Sequence, residues 1–287
     1  MMTRITIALA ALAMALTAGA GQALAGDKDV AKVVSFGGSC ARCELSGKKL
    51  TGARFMGANF NSSALVGSDL RGATFLGSNF QKADLTRADL RGAEMMGANF
   101  ASAVFIRAQL DGIKAAGANF AGADLSNAQM TGAELPGANF AGAALSGANL
   151  SGAEMPASNL SKAEASRVNF AGAELNGANL GGGVFTKASF RNVSLDGANL
   201  TRGEFTWADF GGASLSRTQL AGANLEGARG LTQDQLDEAC GDSSTELPKG
   251  LTVRACRGFA IHRRIVAPRP PTPPKAPAPP RWIIAGD

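Results

Sequence analysis

The sequence has no tyrosine and only one histidine, His262, among its 287 residues. Acid–base and nucleophilic catalysis rest on positioned groups that converge, most often around a histidine. A lone histidine in the C-terminal segment leaves no Ser-His-Asp set and no H-x-x-x-H pair. No phosphate-cradling glycine loop precedes a helix. An enzyme is therefore not expected, and neither is a resident cofactor or metal. Long apolar runs are also scarce. The one present, from Ile5 to about Ala18, is shorter than the roughly 20 residues needed to span a bilayer, so an integral membrane protein is not expected. Aromatics make up 6% of the chain, nearly all of them phenylalanine at regular intervals, which leaves no surplus for a base-stacking platform. Nucleic acid is not an expected partner.

The chain does have a period. From Leu45 to Leu225 every fifth residue is apolar, in unbroken register. Phe or Leu fills nearly all of these positions, and Met95, Met130, Met155, Ala115 and Ala165 fill others. Two residues before each stands a small side chain, usually Ala, as in Ala98-Asn99-Phe100. A period of five fits neither the 3.6-residue turn of a helix nor the two-residue alternation of a strand. It fits a coil that turns a corner every five residues. Such units bury their apolar faces only by stacking on neighbours.

Ala83-Asp84-Leu85, Ala88-Asp89-Leu90, Ala123-Asp124-Leu125 and Ala148-Asn149-Leu150 are clear copies of the motif A(D/N)LXX, and the run from about residue 43 to 229 resembles the pentapeptide-repeat family. The resemblance implies an all-β fold, a right-handed quadrilateral β-helix. In such a solenoid the central Leu or Phe and the small residue two before it point inward.

The residues independently support four sides. Phe60, Phe80, Phe100, Phe120 and Phe140 recur at a spacing of twenty, which is four pentapeptides per coil. The column just before them reads Asn59, Asn79, Asn99, Asn119, Asn139, Asn159, Asn179 and Asn199. Coils stacked at roughly 4.8 Å bring identical amides within reach of one another as ladders. About nine coils make a rod on the order of 40–45 Å long. Gly fills most positions two after the central residue, where a tight corner calls for positive φ. Ala115 is offset by the larger Ile113 at its small position. Ala165 has no such compensation, so Phe185, one coil away, is expected to lean toward the gap.

The segments outside the repeat suggest a compartment. Residues 1–25 read as a secretory signal peptide, with Arg4, the apolar run and Ala23-Leu24-Ala25 as the cleavage site. The mature chain is expected to be exported, either periplasmic or secreted. Residues 26–42 form a lead-in. Four cysteines in an exported chain suggest disulfides. Cys40 and Cys43 precede the first coil, whereas Cys240 and Cys256 follow the last. The rod separates the two sets by far more than the roughly 7 Å that a disulfide tolerates. This leaves Cys240–Cys256 and a tight Cys40–Cys43 bridge, or a reduced pair at the latter. A redox role for Cys-Ala-Arg-Cys lacks the βαβ context that such motifs need. Residues 230–258 are expected to cap the rod with a short helix, Thr232 and Gln235 forming a capping box. Residues 259–287 are a Pro-rich tail. The positions after Gly241 hold most of the chain's net charge of +5, through Lys249, Arg254, Arg257, Arg263, Arg264, Arg269, Lys275 and Arg281.

Three outer columns are candidates for function. Met56, Leu76, Met96, Ala116, Pro136 and Pro156 form an apolar stripe where side chains should face water, and such stripes mark interaction sites. A partner, another copy or the segment around Val33, Val34 and Phe36 could cover it. Glu94, Lys114, Glu134, Glu154 and Glu174 form a second column, in which Lys114 can pair with Glu94 and Glu134, and the last three carboxylates could attract a hard cation. Arg87, Arg107, Asn127, Gly147, Arg167, Lys187 and Trp207 form a third, beside Asp84, Asp124, Glu164 and Glu204, and read as salt-bridged solvent cover. The expected function is a non-enzymatic protein-binding or structural scaffold in the cell envelope. Its partner is an unknown protein or another copy. The family resemblance also offers a DNA-mimicking gyrase inhibitor, which suits a more acidic chain without an export signal.

Overall fold

The computed structural model describes residues 37–256. The signal peptide expected at 1–25, most of the expected lead-in and the tail expected at 259–287 lie outside the described residues. Within them the chain is a β-solenoid. Parallel bridges join the residue just before each central one to its counterpart twenty further on, from Ser39↔Asn59 to Asp209↔Arg229, with one bridge per pentapeptide. Pairing thus begins at Ser39, ahead of the expected start at 43.

Each pentapeptide spends its backbone polar groups in the same way. The amide of central Phe80 donates to the Asn99 carbonyl at 2.7 Å, that of face residue Asn79 to Ala58 at 2.8 Å, and that of corner residue Lys82 to Ala101 at 3.0 Å. The amide of Ala83 closes the corner onto the carbonyl of Phe80 at 3.0 Å. A bend every five residues therefore leaves few backbone groups without partners, which a buried backbone requires. The second corner residue carries φ near +60° throughout: Gly97 has φ 63° and Gly137 64°. Non-glycine residues occupy the same conformation, among them Lys82 (φ 59°), Arg107 (φ 57°) and Trp207 (φ 61°). Their left-handed backbone costs roughly 1–2 kcal/mol each, so it is the coil register, not local preference, that holds them there.

The interior is a column of central side chains and small residues. Phe60, Phe80, Phe100, Phe120 and Phe140 are fully buried and stack ring on ring with centroids 4.6, 5.0, 5.2 and 4.9 Å apart. Phe55 and Phe75 meet this stack edge-on, the arrangement favoured by the ring quadrupole. Ala165 is buried. The ring of Phe185 fills the place of a side chain at its own small position: a Cβ on Gly183 would lie 2.6 Å from its Cε2, and the same holds for Gly203 and Phe205.

The asparagine column is a continuous amide ladder. Asn119 donates to Asn99 Oδ1 and Asn139 to Asn119 Oδ1, both at 3.0 Å, and the chain of bonds runs from Asn199 back to Asn59. The same oxygens accept the first corner amide, as Asn119 Oδ1 does from Ala121 at 3.1 Å. Each asparagine therefore ties its own corner and the next coil at once. Four buried hydroxyls at small positions find main-chain carbonyls: Ser63 on Phe60 at 2.7 Å, Ser68 on Leu65, Ser78 on Phe55 and Thr218 on Leu195 at 2.8 Å. Ser158, 1% exposed, finds none.

Each end carries a disulfide. Cys40–Cys43, with Cα atoms 5.2 Å apart, joins a buried position in the central column to the small position after the same corner, across the turn bond from the Cys43 amide to the Cys40 carbonyl. At the other end, helix α1 (Gln233–Glu238) carries the Thr232/Gln235 capping box and buries Leu236. Gln235 Nε2 donates to the carbonyls of Phe210 and Ala213 at 3.2 and 2.7 Å, so a helix side chain satisfies carbonyls of the last coil. The register then slips: Gln219 pairs with Cys240 and Asn224 with Glu246. Gly241 pairs with Ala255, and Cys240–Cys256 closes this segment. Where the cap pairs with the last coil, it denies a second chain that edge.

Two substitutions separate satisfied from unsatisfied polar groups. Ser158→Ala is expected to raise stability by about 1–2 kcal/mol, because it removes a buried hydroxyl without a partner. Asn119→Ala is expected to lower it by about 1–3 kcal/mol, because two ladder neighbours and a corner amide lose theirs. Urea melts of the two variants check both signs.

Candidate interaction surface

The coil register decides which residues meet water. Central and small positions point inward; the residue between them lies on a flat face; the next two make the corner. The apolar stripe occupies first-corner positions. Met56 and Met96 are 41% and 42% exposed. Leu76, Ala116 and Pro156 are half-buried, and Pro136 is exposed. Below them the column turns polar with Asn176, Asp196 and Ser216. The carbonyls of the stripe residues accept from the corner amides one coil earlier, as Leu76 does from Gly57 and Pro136 from Gly117. On the faces carrying Asn or Asp, the side chain two residues earlier takes the first-corner amide. On the stripe face that position holds Glu134 and Glu154, which make no such bond among the described residues. Proline, which has no N–H to place, therefore fits at 136 and 156.

The register sets Glu94, Lys114, Glu134, Glu154 and Glu174 beside one another, coil by coil. No ion pair joins Lys114 to Glu94 or Glu134, and no group of three ligating side chains converges on a metal position among the described residues.

The expected salt-bridged cover on the Arg87 column requires correction. The ion pairs of the described residues lie on other columns. Arg71 meets Asp69 at 2.7 Å and Asp89 at 3.7 Å, Arg91 meets Asp89 at 2.7 Å, and Arg191 meets Asp209 at 3.2 Å. In each, the arginine is a first-corner residue and the aspartate a face residue. An arginine two positions after an aspartate folds back onto it through Nε and Nη2, as Arg91 does on Asp89. Arg87, Arg107 and Arg167 are instead second-corner residues at positive φ. Hydrogen bonds from Arg71 hold the Asp69 carboxyl below its usual range, and those from Arg91 do the same for Asp89. For Asp209 the main cause is the Gly211 amide.

A second feature was missed by periodicity. Trp207, 57% exposed, walls a cleft of about 570 Å³ together with Glu226, Gly227, Glu246, Leu247, Pro248 and Lys249. The last four come from the cap, beyond the repeats, where the bridges leave the twenty-residue register. The signal available was Trp207 itself, the one aromatic side chain at a positive-φ corner. Among the described residues no helix is long and apolar enough to cross a membrane.

Two family models described as pentapeptide repeats match the chain, one in overlapping segments from residue 39 to 202 and the other over 185–229. No curated protein matches it in sequence. Among solved structures it is similar to HetL, a pentapeptide repeat protein involved in heterocyst differentiation regulation from the cyanobacterium Nostoc sp. strain PCC 7120. That likeness is 25% identical, covers 74% of this chain and 92% of that one, and has a TM-score of 0.43. Full-length QnrB1, a plasmid-mediated fluoroquinolone resistance protein, is 19% identical over 72% of this chain and 94% of that one, with a TM-score of 0.28. A pentapeptide repeat protein from the Arabidopsis thaliana thylakoid lumen is 23% identical over 55% and 72% of the two chains, with a TM-score of 0.13.

The lowered aspartates make stability depend on acid. A carboxyl whose folded pKa lies below its unfolded value adds stability above the unfolded value and loses it as pH falls through the folded one. Stability is therefore expected to fall as pH drops below about 4, the ordinary aspartate range. Asp89→Asn, which removes the acceptor shared by Arg71 and Arg91, is expected to flatten that slope. Melting temperatures of both proteins between neutral and acid pH check this.

Proposed function

We propose, from the premise that the chain belongs to the pentapeptide-repeat family, that it is an exported, non-enzymatic scaffold that binds a protein in the cell envelope through its apolar stripe. In this reading the repeat region, 43–229, is a right-handed, four-sided β-helix of about nine coils. Residues 230–258 close its end, 1–25 direct export, and 259–287 supply a basic arm. One observation carries the reading: Met56 and Met96 stand exposed on a rod whose other methionines at central positions, Met95, Met130 and Met155, are fully buried.

Thioethers left in water at two corners of one column add nothing to the core. Methionine also adapts its shape to a partner better than branched side chains do. The stripe is confined to the upper coils and gives way to polar residues below, as a bounded patch would. Two disulfides, with no free cysteine among the described residues, are compatible with an oxidising compartment. The Cys40–Cys43 pair spans a corner inside the first coil, with Cys40 only 2% exposed. This favours an end clamp over thiol exchange, which needs access.

In-cell photo-crosslinking from positions 56, 76 and 96 tests the reading, with positions 176 and 216 lower in the same column as controls. A specific heterologous adduct from the upper positions alone is the expected result. Self-adducts would make the stripe a homo-oligomer contact, and absence of any adduct would remove the scaffold role from this surface.

A further inference from the structure

We propose that the cleft beside Trp207 is a recognition site for an arginine or lysine carried on an extended, proline-rich segment. It is a different surface from the stripe and does not depend on the stripe's role.

The argument starts with the backbone. The corner at 207 has φ 61°, a conformation that disfavours a bulky side chain. Elsewhere in this column the corner is Gly, Asn, Arg or Lys. A tryptophan there adds nothing to the interior, since it is more than half exposed. Its ring lies flat on the next corner of the column. A Cβ on Gly227 would fall 2.8 Å from Cε3 and 2.9 Å from Cδ2. Glycine at 227 therefore lets the indole lie down on the backbone while more than half of the residue stays exposed.

The walls then decide the chemistry. Leu247 and Pro248 give the cleft an apolar side, and its volume of about 570 Å³ lies within the usual range for ligand sites. Glu226 and Glu246 line it. No hydrogen bond or ion pair among the described residues engages either side chain, nor does one join them to Lys249. One lysine against two carboxylates leaves the lining acidic. An exposed indole beside uncommitted carboxylates attracts a cation through the ring quadrupole and through charge. An aromatic and a proline flanking a shallow groove accept a preformed polyproline II segment at small entropic cost.

A labelled peptide with the sequence of residues 268–281 supplies that chemistry, bearing Arg269, Lys275 and Arg281 among prolines. Titrated with the full chain and followed by fluorescence anisotropy, it is expected to bind saturably and to weaken with salt. Trp207→Ala and the double variant Glu226→Gln, Glu246→Gln should each weaken binding about tenfold. Trp207→Phe should fall between, because phenylalanine is the poorer cation acceptor. A peptide with the three basic residues replaced by glutamine should bind no better than the variants do. Absence of saturable binding, equal binding of the glutamine peptide, or unchanged affinity in a folded Trp207→Ala protein would each overturn the proposal.

Discussion

The parallel hydrogen-bond register of twenty residues is the constraint on which everything else in this protein depends. Each coil has no core of its own. Its central and small side chains are buried only because the coils above and below supply the walls. The register makes chemically identical positions neighbours, so phenylalanine stacks on phenylalanine and asparagine bonds asparagine. It also forces unfavourable geometry on residues that would not choose it, as at Lys82, Arg107 and Trp207. Those corners persist because neighbouring coils over-determine them.

The same regularity explains why function must be sought in departures from it. Wherever the pattern holds, a residue's role is accounted for by packing, by the corner or by the ladder. Met56 and Met96 depart by exposing apolar surface, and Trp207 departs by placing an aromatic at a corner. The cap departs by slipping register at Gln219↔Cys240 and Asn224↔Glu246. The slipped segment carries Glu246, Leu247, Pro248 and Lys249, which join Glu226 and Gly227 beside a tryptophan two coils earlier and make a concave site.

Electrostatics are equally local. The ion pairs depend on which corner position the basic residue takes. Arg71 and Arg91 follow their aspartates by two residues and reach back with two nitrogens. On the Arg87 column, Arg87 and Arg167 sit three positions after Asp84 and Glu164, at second corners with positive φ, and make no such pair among the described residues.

The sequence by itself determined the solenoid, its inward residues, the asparagine ladder and the capping box around Thr232. A five-residue period admits one way of burying apolar side chains, and Ser/Thr-x-x-Gln is a local signal. Tertiary structure decided the rest. Pairing begins at Ser39 and draws Cys40 into the central column. Phe185 turns to the vacant position at Gly183. Ser158 is left without a hydrogen bond while Ser63 and Ser68 find theirs. The cleft at Trp207 is completed by Glu246, Leu247, Pro248 and Lys249 of the cap, where the bridges have left the twenty-residue register. Periodicity reports what repeats, whereas these features arise at ends and at single side chains, where the outcome depends on the space and the partners left by everything already placed.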